Sequence, residues 1–146
     1  MYTFHATIHA LPAVAIAGPV MRLADRDCPT LVVSHEALGA TTFPCSFEEA
    51  AARLQQLERM YCEPDGSFVW VSSQEGPAWQ VDGNLYDRAE KLLFVDLKGS
   101  CRASDFDRLI RCFDWPQTPV MFQLVREAVL LDEPQFRTWA AGSTAG

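Results

Sequence analysis

A segment of seven residues, K-G-S-C-R-A-S at 98–104, carries the residue types best suited to chemistry. It lies between a predicted strand and a predicted helix, where free backbone N–H groups and the helix dipole favour anions. Its side chains add two cations and two hydroxyl groups, at Lys98, Arg102, Ser100 and Ser104. The same surroundings would lower the pKa of the Cys101 thiol. The segment predicts an anion-binding loop with a reactive thiol, and the alternative is an ordinary solvated loop with a serine cap.

The other residue types that bind metals or catalyse reactions are not spaced for either role. His5 and His9 share one face of a predicted strand, but four residues of strand span roughly 13 Å, too far for one metal ion. His35-Glu36 begins like an H-E-x-x-H zinc motif, yet position 39 is glycine. The sequence contains no C-x-x-C, no phosphate-binding glycine motif and no G-x-S-x-G. We therefore predict no metal and no cofactor.

A second candidate site comes from the strands predicted over residues 67–98. Their alternation predicts an aromatic and polar face opposite one that helices would cover. The candidate residues of this face are Phe68, Trp70, Asp82, Tyr86 and Phe94. Three interpretations stay open: cover by the chain's own termini, a homodimer interface, or a ligand pocket in which carboxylates act as acid or base.

Composition and charge limit what the chain can bind. Of 146 residues, 49 % are hydrophobic, which is typical of a globular protein. Twelve basic residues against nineteen acidic ones give a net charge of −7, which argues against nucleic acid and anionic membranes as partners. We expect one domain over residues 1–140 and a frayed tail over 141–146.

Cysteine usage and the N-terminal segment indicate in which cellular compartment the protein is expected. Five cysteines form an odd set without a short-spaced pair, which favours reduced thiols. The apolar run at 13–17 is too short for a membrane helix, and no basic residue precedes Arg22 as a signal peptide requires. We expect an unprocessed, soluble, cytoplasmic protein.

Three helices are predicted from capping residues and apolar spacing. Ser46 and Glu49 form a capping box for a helix that should end near Tyr61. Ser104 is the expected N-cap of a second helix that ends before Trp115-Pro116, and its apolar face recurs at helical spacing. Asp132 should cap a short third helix.

Strands are predicted where apolar and polar residues alternate or β-prone residues cluster. They cover residues 2–9, 31–33, 67–73, 79–86, 91–98 and 120–125. Short connections between the three central strands predict antiparallel pairing. Asp82-Gly83 is either a bulge within one strand or a hairpin turn that divides it, and we prefer the bulge.

Together these elements predict an α+β domain with a mainly antiparallel sheet of five to seven strands. Two principal helices would cover one face, in a ferredoxin-like plan with additions, and a short helix would end the chain. We expect a non-enzymatic binding or interaction module that forms a homodimer through its sheet. The alternative is a small enzyme or anion-binding protein that uses the 98–104 loop with Cys101 as its reactive thiol.

Overall fold

The computed structural model describes residues 1–142, which form one nine-stranded antiparallel sheet and four short helices. The strands are β1 (Tyr2–Ala10), β2 (Ile16–Leu23), β3 (Arg26–Val32), β4 (Met60–Cys62), β5 (Ser67–Val71), β6 (Gln80–Arg88), β7 (Lys91–Cys101), β8 (Val120–Leu124) and β9 (Leu130–Asp132). The helices are α1 (His35–Ala40), α2 (Phe47–Leu54), α3 (Ala103–Arg111) and α4 (Glu133–Gly142).

β1 lies at the centre of the sheet, whose strand order is β2-β3-β9-β8-β1-β7-β6-β5-β4. It pairs with β7 along almost its whole length and with β8 along its second half. The alternation predicted for residues 2–9 is confirmed, because Phe4, Ala6 and Ile8 are buried on one face while the intervening side chains point to the other.

Helices α2, α3 and α4 pack on one face of the sheet. Helix α4 contacts β1, β8 and β9, and α2 contacts β4, β6 and β7. The core between the layers is aromatic: Phe136 of α4 stacks on Phe122 of β8 at 3.9 Å between ring centroids, and Phe106 of α3 meets Phe4 of β1 edge-on at 5.4 Å. Such aromatic pairs each add roughly 0.5–1.5 kcal/mol beyond the area they bury.

Two of the predicted helix starts are confirmed. Ser46 accepts a hydrogen bond from the Glu49 N–H while the Glu49 side chain accepts one from the Ser46 N–H, which completes the capping box of α2. Asp132 accepts from the Gln135 N–H at the start of α4. The third prediction is wrong, because α3 begins at Ala103 and its N-cap position is Arg102 rather than Ser104.

The predicted plan of five to seven strands with two principal helices is wrong, although the α+β composition and the antiparallel pairing are confirmed. The largest addition is the β2–β3 hairpin, whose turn residues Ala24 and Asp25 both have positive φ. Such a two-residue turn usually contains glycine or asparagine, and this hairpin was not predicted because its turn contains neither. Helix α2 also stops at Leu54, and β4 occupies the end of the predicted helix.

Strand β6 runs without a break through Asp82-Gly83, which excludes the hairpin. The bulge that we preferred is not at Gly83 either, because the register of β6 and β7 shifts between Tyr86 and Asp87. Gly83 instead leaves space for an aromatic ring, since a Cβ atom there would come within 2.1 Å of Phe68 Cζ.

Helix α4 includes positions 141 and 142 of the expected tail, and the rest of that tail lies outside the described residues.

Among residues 1–142, no helix is long and apolar enough to cross a membrane.

Gly83→Ala should lower the free energy of unfolding by about 2 kcal/mol, because the buried Phe68 ring must move to admit the methyl group. Gly39→Ala is the matched control. It lies in α1, where the added Cβ meets only the Arg88 side chain at 3.6 Å, and should be neutral or stabilising. Urea denaturation of both variants measures the difference, and equal stabilities would contradict the close packing at Gly83.

Candidate functional site

The segment at 98–104 is not a loop. Strand β7 continues through Cys101, and Arg102 alone separates it from α3. Alternation along β7 places Lys98 and Ser100 on the face turned away from α2, α3 and α4, whereas Cys101 points into the core. Ser104 lies exposed on α3. The structure therefore separates the side chains that the sequence suggested would act together.

The thiol of Cys101 is not placed for reaction. Its side chain is completely buried. Burial, reinforced by the nearby Asp105 carboxylate, raises the pKa of Cys101 to about 12. A thiol with such a pKa forms almost no thiolate at neutral pH. This environment is the opposite of the electropositive one that the sequence suggested.

The start of α3 carries its own counter-charge. Asp105, only 2 % exposed, accepts a hydrogen bond from Arg102 Nε at 2.6 Å and lies 3.5 Å from Arg108 Nη1. A carboxylate in the first turn of a helix interacts favourably with the helix dipole. Because Asp105 already occupies this position, the positive charge of the segment is largely neutralised within the protein.

Cys62 should be the thiol that iodoacetamide alkylates first in the folded protein, because it is the only half-buried cysteine of the five. Burial still raises the pKa of Cys62, so its reaction should be slow at neutral pH. Cys101 should react only as the chain unfolds. Mass spectrometry after timed alkylation checks this order, and rapid labelling of Cys101 in native protein would contradict it.

The sheet face turned away from α2, α3 and α4 is the better candidate site, and we call it the open face. The expected group of five residues does not lie together on it. Phe68 and Trp70 pair with Gly83 and Val81, so their side chains point into the helix-covered core. The remaining three, Asp82, Tyr86 and Phe94, do lie on the open face.

A row of polar side chains crosses the open face over four adjacent strands. The register aligns Asn84 of β6, Asp96 of β7, Thr7 of β1 and Gln123 of β8. All four are half-buried. Within the described part of the chain, the amides of Asn84 and Gln123 form no hydrogen bond with another side chain or with the backbone. We call these four residues the polar row.

Asp96 is the least satisfied member of the polar row. Its Oδ1 atom is shielded from solvent and has no hydrogen-bond partner among the described residues. The nearest basic group is His5 Nε2, at 3.9 Å, which is beyond hydrogen-bond distance. The Asp96 side chain as a whole is 40 % exposed, so its carboxylate remains accessible to solvent and to a ligand although Oδ1 is shielded.

Two further rows border the polar row. On one side, three rings stack across β6, β7 and β1: Tyr86 lies 4.6 Å from Phe94, and Phe94 lies 5.4 Å from His9. On the other side, Lys98 has Asp82 and His5 directly opposite it on the neighbouring strands. The open face thus presents a ring row, a polar row and a charged row in parallel.

The four of these ten residues that lie on β1 and β8 could not be placed beside the others from the sequence. Alternation in residues 2–9 indicated that His5, Thr7 and His9 share a face. Nothing in the sequence indicated that β1 lies between β7 and β8, which is what brings those side chains beside Asp96 and Gln123.

The structure also contains a shallow cavity of about 430 Å³ at the start of α2. Its lining includes three carboxylates, and the residues are Ser46, Phe47, Glu48, Asp87 and Glu90. Over residues 1–142, no three His, Cys, Asp or Glu side chains are grouped so that they could hold a metal ion.

Acidification should destabilise the protein through His9. Burial lowers the pKa of His9 from 6.5 to about 4, and Thr7 Oγ1 lies 2.7 Å from its Nε2. Between these two pH values the unfolded chain binds a proton that the folded chain does not, so stability falls as pH falls through this window. The loss attributable to His9 is on the order of 3 kcal/mol at pH 4.

Urea denaturation at pH 7 and pH 4.5 tests this expectation. His9→Phe should lose less stability on acidification than the wild type, whereas substitution of the exposed His35 by glutamine should leave most of the loss in place. An identical pH dependence in His9→Phe and the wild type would show that His9 is not responsible.

No family model, no curated protein and no solved structure matches this chain. The geometry of the open face is therefore the basis on which its function is inferred.

Proposed function

We propose that the protein is a non-enzymatic binding module whose open face binds a neutral ligand rich in hydroxyl or amide groups. The observation that carries this proposal is the shielded Oδ1 atom of Asp96, which lacks a donor in the folded chain. Buried polar atoms are almost always hydrogen-bonded, and an exception needs an explanation. A ligand that donates to Asp96 supplies one.

The neighbours of Asp96 favour a ligand that both donates and accepts hydrogen bonds. The side-chain amides of Asn84 and Gln123 each have one acceptor and one two-proton donor. Thr7 lies between Asp96 and Gln123 in the register and adds a hydroxyl group. Neighbouring strands are about 4.8 Å apart, so the polar row is roughly 14 Å long and fits an extended ligand.

Charge supports a neutral ligand over an anionic one. Beside the polar row, the open face carries the carboxylates of Asp82 and Asp96 and the ammonium group of Lys98. The whole chain has a net charge of −7. Phosphates and nucleic acids would therefore be repelled both at the site and at long range.

The alternative of an enzyme or anion-binding protein that uses residues 98–104 has less support. Cys101 is buried with a raised pKa, and Arg102 is paired with Asp105. A homodimer through the open face also has less support, because stable homodimer interfaces are rich in apolar residues at their centre. The centre of the open face is occupied by the polar row.

Asp96→Thr should raise the free energy of unfolding by about 1 kcal/mol, because it removes an unpaired acceptor and introduces a residue that favours strands. Asp82→Thr is the control on the same face, since the Asp82 carboxylate already accepts from Gln80 at 2.8 Å. It should change stability little. Thermal and urea denaturation measure the stability of both variants. A clear loss of stability in Asp96→Thr would show that the Asp96 carboxylate stabilises the fold instead.

Ligand binding is tested by a thermal-shift screen of neutral sugars, polyols and amides, with phosphates as the comparison set. A compound present at about a hundred times its dissociation constant should add roughly 2.7 kcal/mol to stability. The shift should disappear in Asp96→Thr and Asn84→Ala and persist in Glu48→Gln, which alters the cavity beside α2. A shift that persists in both open-face variants would place the ligand elsewhere.

A further inference from the structure

The two edges of the sheet differ in length. One edge strand, β4, has three residues, whereas the other, β2, has eight. The outer side of an edge strand carries N–H and C=O groups that no neighbouring strand satisfies. The β2 edge is therefore the larger surface on which a further strand could pair.

The β2–β3 hairpin is also where the chain exposes apolar side chains. Of the ten exposed large hydrophobic residues in the described part of the chain, five lie between positions 14 and 32: Val14, Ile16, Val20, Met21 and Val32. Ile16 and Val20 are each 63 % exposed. Concentration of four of these side chains in one hairpin, with Val14 just before it, indicates a surface that another protein covers.

Charge identifies the partner that this surface accepts. From Ala10 to Met21 the sequence contains no charged residue, in a chain whose net charge is −7. Two copies of such a chain repel each other, and the repulsion is smallest where the contact itself is uncharged. The segment also offers no basic residue to nucleic acid or to an anionic membrane. An apolar, uncharged edge is complementary to itself.

The irregularity in β2 limits how the edge can pair. The register of β2 and β3 shifts between Ala17 and Val20, and the Pro19 carbonyl accepts a hydrogen bond from Thr30 Oγ1 at 2.6 Å. Proline has no N–H group, so this point cannot join a regular ladder. Pairing with a further strand is confined to the residues of β2 before and after Pro19. A bulge of this kind prevents open-ended, edge-to-edge extension of the sheet.

We propose that a second copy of this chain pairs with β2, antiparallel and edge to edge about a two-fold axis, and that Ile16 and Val20 of both copies are covered in the dimer. Each copy uses its one long edge, so the assembly closes at two chains. The proposal concerns a surface separate from the open face and does not depend on what the open face binds.

Light scattering coupled to size exclusion tests the assembly. The wild type should have a mass of about 33 kDa, twice the 16.3 kDa of one chain. Val20→Lys and Ile16→Lys should each reduce the mass twofold. Tyr61→Lys is the matched control, because Tyr61 is a similarly exposed residue of the other edge strand, and it should stay dimeric.

Hydrogen exchange of the wild type keeps the test independent of whether the lysine variants fold. The β2 amides should be protected at high protein concentration and should exchange faster on dilution, while those of β1 remain unchanged. A monomeric wild type at high concentration, or lysine variants that fold and remain dimeric, would overturn the proposal. A dimer dissociated by Tyr61→Lys instead would place the interface at β4.

Discussion

The register of β1 is the constraint on which the rest of the structure depends. Because β1 pairs with β7 on one side and β8 on the other, its alternation determines which side chains of all three strands face the helices. Phe4 and Ile8 lie in the core, and His5 and Thr7 lie on the open face. A shift of one residue would exchange the two sets and bury the polar row, so the core and the candidate site are specified by the same pairing.

The helix layer is fixed to this sheet by Arg137 of α4. Its guanidinium forms ion pairs with Glu133 at 2.8 Å and with Asp107 of α3 at 2.7 Å, and it lies over the Tyr2 and Phe106 rings. These contacts join α4, α3 and β1 beside the stacked Phe136. Arginine suits this position because its planar group pairs with carboxylates and stacks on rings at once. Helices α2, α3 and α4 therefore lie on the face opposite the polar row.

Local features were predictable from the sequence, whereas pairings between distant segments were not. The capping box at Ser46 and the alternation in residues 2–9 depend on near neighbours, and both are confirmed. The β2–β3 hairpin was missed because its turn lacks glycine and asparagine. Phe68 and Trp70 were assigned to the wrong face although their own alternation was correct, because the face of a strand depends on its register with the next strand.

The two surfaces inferred for this protein have opposite chemistry, which favours different proposed partners for them. The open face keeps charged and amide groups at its centre, where desolvation by a second copy would be costly unless each group found a partner. The β2 edge has apolar side chains and no charge, so its desolvation is favourable. A two-fold axis that pairs antiparallel edges is perpendicular to the sheet, and both open faces then point the same way. A ligand with repeated groups would meet two sites on one side of the proposed dimer, and the second contact would form at high effective concentration.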